Sequence, residues 1–174
     1  MFFIPGFIVA LLTFPGVVVH EIAHRLFCDI AGVPVYEACY IRFGSPAGYV
    51  IHGPVKKLGS AFLIAVGPFI INTLLCAIIS FPAVVIFEAV DDFTSPLNLF
   101  LLWMGISIGM HAFPSKEDLD NFYEAVKSTH GFSPLLAFSF LLSFIFKIAR
   151  FLSIVWFDAI YAIMVAMILP TCLL

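Results

Sequence analysis

The chain has few charged residues and no cysteine pairing pattern. Asp, Glu, Lys and Arg make up only 11% of its 174 residues, whereas a soluble domain has about a quarter. The formal net charge of −3 provides no basic face for nucleic acid. The four cysteines form no Cys-x-x-Cys pair, which excludes a zinc ribbon and a thioredoxin-like redox motif. We expect the cysteines to act as small apolar residues at helix interfaces.

Hydrophobic residues dominate instead. They account for 63% of the chain, and the mean hydropathy is +1.13. A soluble domain of this length has too little interior to bury so many apolar side chains, and the hydrophobicity is too high for a disordered chain. The composition therefore predicts an integral, multi-pass membrane protein that has the lipid bilayer, and no nucleic acid, as its partner.

Long apolar runs predict where the chain crosses the membrane, since a spanning helix needs about 20 mostly apolar residues. The candidates are Phe2 to about Phe27, Leu58–Phe87 with interruptions at Gly67-Pro68 and Phe81-Pro82, Leu97 to about Met110, and Pro134–Leu174. The last run is about twice the length of one span. It forms either two helices that meet near Lys147–Arg150 or one long helix that projects from the membrane.

These runs predict a single membrane-embedded domain over residues 1–174, with a core at 1–131 and a C-terminal hydrophobic segment at 134–174. Between the first two spans, Tyr36–Phe43 and Gly48–His52 are rich in β-forming residues and flank the turn-like segment Gly44–Gly48. This pattern predicts a β-hairpin, and the alternative is an irregular interfacial loop. The predicted fold class is an all-α polytopic membrane protein with four or five transmembrane helices and one small β-hairpin.

Basic residues predict the orientation, because cytoplasmic loops carry an excess of Lys and Arg. Six of the eight cationic residues follow the first and third spans: Arg25, Arg42, Lys56, Lys57, Lys116 and Lys127. The loop between the second and third spans carries Asp91 and Asp92 but no Lys or Arg. We therefore expect an outside N-terminus and a cytoplasmic face that carries residues 30–57 and 113–133.

The stretch His20-Glu21-Ile22-Ala23-His24, at the inner end of the first apolar run, is a candidate metal-binding and catalytic motif. Helical residues four apart lie one above the other, so His20 and His24 can share one metal ion. Glu21 follows His20 directly, where its carboxylate can reach a metal-activated water without being a ligand. Zinc held by two His and one carboxylate keeps an open position and lowers the pKa of bound water to about 7. The motif predicts one catalytic zinc ion, with Glu21 as general base.

A His-Glu-x-x-His on a first transmembrane helix resembles the site-2 protease family of intramembrane zinc metalloproteases. Gly67-Pro68-Phe-Ile-Ile-Asn72 is similar to the Gly-Pro-x-x-x-Asn that opens a core helix of that family. The resemblance covers about residues 10–122. It implies that a hairpin edge strand pairs with an extended substrate and that the substrate is a membrane protein. Because the chain is little more than this core, we expect regulation to come from a partner or from substrate presentation.

The resemblance also implies a third metal ligand, an Asp from an Asn-Pro-Asp-Gly-type motif. The corresponding stretch here is Gly109-Met-His-Ala-Phe-Pro114-Ser-Lys-Glu-Asp118-Leu-Asp120, in which no Gly follows the Asp and His111 replaces the Asn. We rank Asp118 first as the ligand, Asp120 second and Glu117 third. A second interpretation of Asp118 is a helix capping box with Ser115, which fits the amphipathic pattern that follows.

Other polar residues have two interpretations each. Asn72 contacts the substrate or an oxyanion, or it holds helices together. His111 polarises the substrate carbonyl or is an interfacial histidine. Asp158 is a functional intramembrane carboxylate or pairs with Lys147 or Arg150.

The sequence thus predicts an intramembrane zinc metalloprotease whose site opens to the cytoplasmic side. One alternative is a non-proteolytic metal-binding membrane protein, either a regulatory homologue or a metal transporter. The other is a scaffolding membrane protein in which the motif is accidental.

Overall fold

The structure is a computed structural model that describes residues 5–90 and 95–173. The chain is mostly helical with one two-stranded sheet. Its elements in order are α1 (Gly6–Leu12), α2 (Phe14–Ala31), β1 (Val35–Cys39), β2 (Tyr49–His52), α3 (Leu58–Val90), α4 (Pro96–Met110), α5 (Lys116–Ser128), α6 (Pro134–Leu152), a single 3-10 turn (Ser153–Val155) and α7 (Phe157–Leu173). The acidic residues Asp91 and Asp92 lie outside the described residues.

The predicted first helix is bent rather than continuous. Helices α1 and α2 meet at an angle of 89°. Helix α1 ends at Thr13, whose backbone leaves the helical conformation and whose N–H and hydroxyl both donate to the carbonyl of Val9. Pro15 lies in the first turn of α2, where its missing N–H costs nothing, whereas in a continuous helix it would remove a hydrogen bond. The prediction of one continuous helix from Phe2 to Phe27 is therefore wrong for residues 5–27, which form two helices.

Helix α3 is the central element and runs unbroken through Pro68 and Pro82, so the two predicted interruptions do not end it. Helix α4 packs closely against it. A Cβ at Gly105 would collide with the hydroxyl of Ser80, and one at Gly109 would lie 2.7 Å from the Cys76 sulfur. Small residues let helix backbones approach in this way in membrane proteins. Cys28 and Cys76 are buried as expected, whereas Cys39 and Cys172 are not.

The C-terminal segment forms two helices, and this decides between the two predicted arrangements. The break lies at the 3-10 turn and Trp156, a few residues after the predicted Lys147–Arg150. Trp156 adopts a left-handed conformation with φ of 65°, which is unusual for a large side chain and leaves no Gly or Pro signal in the sequence. Lys147 lies over the Tyr123 ring, 3.5 Å from its centroid, and so fixes α6 against α5.

Among the described residues, two helical stretches are long and apolar enough to cross a membrane, Leu58–Ile86 and Pro134–Val155. The bent pair α1 and α2 makes a third if it counts as one span, whereas α4 and α7 are shorter apolar helices. Many large apolar side chains on these helices are exposed, as membrane residence requires. By length the structure therefore supports two or three spans, and the predicted four or five requires α4 and α7 to cross as well.

The predicted β-hairpin is confirmed. Strands β1 and β2 pair antiparallel, with Cys39 opposite Tyr49 and Val35 opposite His52. The connecting loop covers residues 40–48, so the first strand ends earlier than the predicted Phe43. The Tyr49 hydroxyl donates to the Glu37 carboxylate across the hairpin. Both strands contact α2, which places the hairpin beside the His-Glu-x-x-His segment.

Candidate metal centre

Helix α2 presents its two histidines on one buried face. His20 is 6% exposed and His24 is 4% exposed. Their ring centroids lie 4.7 Å apart, and the two Nε2 atoms are separated by 3.1 Å. The i, i+4 spacing accounts for this, since side chains four residues apart overlie each other on a helix.

Asp118 reaches the two histidines from the start of helix α5. Its Oδ2 lies 3.1 Å from the Nε2 of His24 and 3.6 Å from the Nε2 of His20. The same oxygen accepts the Ser115 backbone N–H at 2.9 Å, while the Asp118 N–H donates to the Ser115 hydroxyl. The predicted capping box is therefore present, and it coexists with the placement of Asp118 beside the histidines. Capping fixes the carboxylate before any ion binds, because it holds the side chain in one rotamer.

The three atoms form a triangle with edges of 3.1, 3.1 and 3.6 Å. Ligands about 2.0 Å from a tetrahedral zinc ion lie about 3.3 Å from one another, so this triangle has the size of one tetrahedral face. Two imidazoles and one carboxylate are also a donor set that suits zinc and leaves a fourth position open. Among the described residues, this is the group of His, Cys, Asp and Glu that can hold a metal ion.

The His20 ring is oriented by the far end of helix α4. Its Nδ1 donates to the backbone carbonyl of His111 at 2.6 Å. A neutral imidazole with its proton on Nδ1 has its lone pair on Nε2, which here faces His24 and Asp118. Histidine ligands in metal sites commonly donate their other ring N–H in this manner. The hydrogen bond therefore prepares Nε2 of His20 as a ligand.

Asp118 is kept ionised at this position. Burial raises the pKa of its carboxyl, but in the metal-free protein the charge of His24 and hydrogen bonds from the rings of His20 and His24 lower that pKa by a larger amount, so the net pKa lies well below its ordinary value. A carboxylate that stays charged is the form that binds a cation.

Glu21 lies next to the cluster and against the hairpin. It is 9% exposed and lines the same cavity as His20 and Asp118. Gly48 makes room for it, because a Cβ at this position would lie 2.7 Å from Cγ of Glu21. The carboxylate is thus confined between helix α2 and the hairpin, and it is not one of the three grouped ligand atoms.

Two cavities meet at the cluster. The wide cavity, about 610 Å³, is lined by His20, Glu21, the hairpin residues 46–50, Arg150 and Asp158. The narrow cavity, about 390 Å³, is lined by His24, by apolar side chains of α3 and by both polar and apolar side chains of α5. Asp118, His52 and Asn121 line both cavities. The metal cluster therefore lies where two clefts join.

Comparisons of the chain with protein-family models, curated proteins and solved structures gave no match.

The structure separates the predicted site residues into two sets. His20, His24, Glu21 and Asp118 come together. Asp120 is exposed and lines neither cavity, and Glu117 lines the wide cavity outside the ligand group. Asp118 alone of the three acids therefore joins the histidines. Helical geometry explains this, since Asp120 lies two positions farther on α5 and points to a different side.

Asn72 and His111, the two predicted substrate contacts, lie where helices α2, α3 and α4 meet. Asn72 is completely buried, lines neither cavity and contacts the backbone carbonyls of neighbouring helices. His111 borders the wide cavity, but its ring Nδ1 donates to the carbonyl of Ser107, and its own carbonyl accepts from His20.

Sequence reasoning did not assign His52 and Asn121 to the site. His52 and Asn121 flank the cluster, and Arg150 and Asp158 extend the wide cavity. His52 ends strand β2, where its Nδ1 donates to the Gly53 carbonyl. The described residues hold no ion pair of Asp158 with Lys147 or Arg150 within 4 Å. The only sequence signals for His52 and Asn121 are the two-residue alternation of strand β2 and the helical periodicity of α5.

Proposed function

We propose that this protein is a membrane-embedded zinc metalloendopeptidase of the site-2 protease type, which hydrolyses peptide bonds of membrane-associated substrate proteins. The observation that supports it most is the convergence of His20, His24 and Asp118 with Glu21 at the edge of one cavity. Two histidines and a carboxylate also bind iron in oxygenases. A buried carboxylate beside the open position favours hydrolysis, because hydrolysis needs a base there.

Nε2 of His20, Nε2 of His24 and Oδ2 of Asp118 would hold the ion. When bound, zinc supplies an electrophile that acidifies a water molecule and polarises the carbonyl of the scissile peptide bond. The residues of the chain supply the rest. His111 and Ser115 keep two of the ligands in position, through the hydrogen bonds to the ring of His20 and to the carboxylate of Asp118.

Glu21 moves the proton. Its carboxylate accepts a proton from the attacking water as the new carbon–oxygen bond forms. It then delivers that proton to the peptide nitrogen as the carbon–nitrogen bond breaks, so that the products are a carboxylic acid and a free amine. One residue serves as base and then as acid, which restores its starting state for the next turnover.

The wide cavity provides access for substrate and water. Hydrolysis within a membrane requires water, and this cavity joins the cluster to polar lining residues such as His52, Ser115 and Glu117. We expect it to open to the cytoplasmic side, because the cationic residues Arg42, Lys56 and Lys116 lie in the segments next to it. A helical substrate must unwind locally before cleavage, since the helix shields its own peptide bonds.

The test compares the wild type with Glu21→Gln. Each purified, zinc-loaded protein is reconstituted in vesicles together with a membrane-protein extract of the expression host, and new peptide N-termini are identified by mass spectrometry. We expect the wild type to generate new N-termini and Glu21→Gln to generate none while it retains one equivalent of zinc. Asp120→Asn is the matched control, an acid-to-amide change at an exposed position, and it should cleave like the wild type.

The outcomes separate the candidate functions. Equal products from the wild type and Glu21→Gln would contradict the proposed role of Glu21. Stoichiometric zinc in the wild type without any new N-terminus would favour the non-proteolytic metal-binding protein, a regulatory homologue or a metal transporter. Absence of bound zinc would contradict both.

A further inference from the structure

Asn72 lies between three helices, and its two amide N–H groups are shared among three backbone carbonyls. It belongs to α3 and is 0% exposed. Its Nδ2 lies 3.0 Å from the carbonyl oxygen of His111, 3.1 Å from that of Ile108 and 3.4 Å from that of Gly16. The amide orientation is determined chemically, because the opposite orientation would point an oxygen at three other oxygens. Asn72 thus donates to α2 and to the end of α4 at once.

The carbonyl of His111 is the point where this network meets the metal centre. His111 follows the last residue of α4, where carbonyls lack the usual intrahelical partner. Its oxygen accepts two donors, the Nδ1–H of His20 at 2.6 Å and the amide of Asn72 at 3.0 Å. The position of the His20 ring is therefore coupled to the side chain of Asn72 through a single oxygen atom.

The same residue also keeps α2 and α4 in contact. At Gly16 the backbones approach so closely that a Cβ would collide with the carbonyl of Ser107. Asn72 donates to Gly16 on one side of this contact and to Ile108 on the other. A shift of α4 along α2 would break these bonds and carry the His111 carbonyl away from His20.

We propose that Asn72 is a positioning residue of the metal centre, which fixes the His111 carbonyl and through it directs Nε2 of His20 toward the ion. Asn72 contacts neither the ion nor the substrate. This inference rests on the metal site of the proposed function, but not on its proteolytic activity. Removal of outer hydrogen-bond partners of metal-binding histidines weakens metal affinity by about 10- to 100-fold.

The test measures metal affinity and ligand geometry in Asn72→Leu, which keeps the volume and removes the donors. Thr73→Val is the matched control. Thr73 is the next residue of α3, and its hydroxyl bonds Phe69 and Tyr161 rather than the end of α4. Zinc affinity is measured by competition with a chelator, the ligand field by the absorption spectrum of the cobalt(II)-substituted protein, and folding by thermal unfolding of the metal-free protein.

We expect Asn72→Leu to weaken zinc affinity about 10- to 100-fold and to change the cobalt spectrum. Thr73→Val should lower the unfolding temperature without changing either metal readout. If Asn72→Leu does not fold, Asn72→Ser is measured, which keeps one short hydroxyl donor and should weaken zinc binding in the same direction. Wild-type affinity and an unchanged cobalt spectrum in a folded Asn72 variant would overturn the inference. Failure of the wild type to bind zinc or cobalt would instead contradict the proposed function.

Discussion

The two cavities that meet at the candidate metal centre present different groups beside the three residues that they share, Asp118, His52 and Asn121. The wide cavity is lined by Glu21 and His20, borders the hairpin and includes Arg150 and Asp158. The narrow cavity adjoins His24 and is lined by the apolar residues Val55, Ala61, Ile64, Ala65, Phe122 and Ala125 together with the polar residues Glu124 and Ser128. In the proposed protease, the carboxylate that transfers the proton lies on the wide side. We expect a substrate side chain to contact the apolar residues of the narrow side.

Asp118 lines both cavities and is the acid of the candidate metal site. We expect Asp118→Asn to weaken zinc affinity by more than the ~100-fold that outer-shell changes reach, because it removes a charged ligand. The measurement is zinc content and chelator competition after purification. Asp120→Asn, two residues away on the same helix and exposed, should keep wild-type affinity. Comparable zinc loss in both variants would contradict the assignment of Asp118.

The wide side depends on the confinement of Glu21, which Gly48→Ala would disturb. The added methyl group would lie 2.7 Å from Cγ of Glu21 and 3.1 Å from the carbonyl oxygens of Cys39 and Tyr40. Displacement of a reacting group by about 1 Å can cost about 100-fold in rate, so we expect kcat to fall by about that factor. Zinc affinity should not change, since Gly48 touches no ligand.

The control for this change is Gly44→Ala in the same hairpin loop. The nearest atom to its new methyl group is Nε of Arg42, 3.9 Å away, which is an ordinary contact. Activity should therefore remain at the wild-type value. Full activity in Gly48→Ala would show that the hairpin does not confine the proton-transferring carboxylate.

The narrow side should determine which substrate side chain is accepted. Ala125→Phe fills part of the 390 Å³ cavity from helix α5. We expect kcat/KM for peptides with Leu or Phe next to the scissile bond to fall about tenfold relative to peptides with Gly there, since a few methylene groups in an apolar pocket are worth 1–3 kcal/mol. Cleavage of the Gly peptides and zinc content provide the internal controls. An equal loss for all peptides would argue against a specificity pocket on this side.

Local signals in the sequence predicted several elements correctly. The polar start and amphipathic period of α5 gave both the helix and its Ser115–Asp118 capping box. The alternating β-forming residues gave the hairpin. These features depend on neighbours within a few residues, so the chain itself encodes them.

Other features could not be predicted because they depend on distant contacts. The bend at Thr13 and the break at Trp156 both lie within apolar runs, where composition looks the same in one helix or in two. Pro68 and Pro82 were interpreted as interruptions, yet α3 continues through both. Packing of neighbouring helices overrides such local preferences in an apolar environment.

By itself the sequence determined the apolar character of the protein and the pair of imidazoles, since helical spacing alone places His20 and His24 on one face of α2. Only the tertiary structure decided which acid joins them and what Asn72 does. Asp118 is separated from the histidines by more than ninety residues of chain, and the packing of α5 and of α4 against α2 and α3 brings its carboxylate and the His111 carbonyl to the two rings. Spacing along one helix is a local property, whereas convergence of separate helices exists only after the chain has packed.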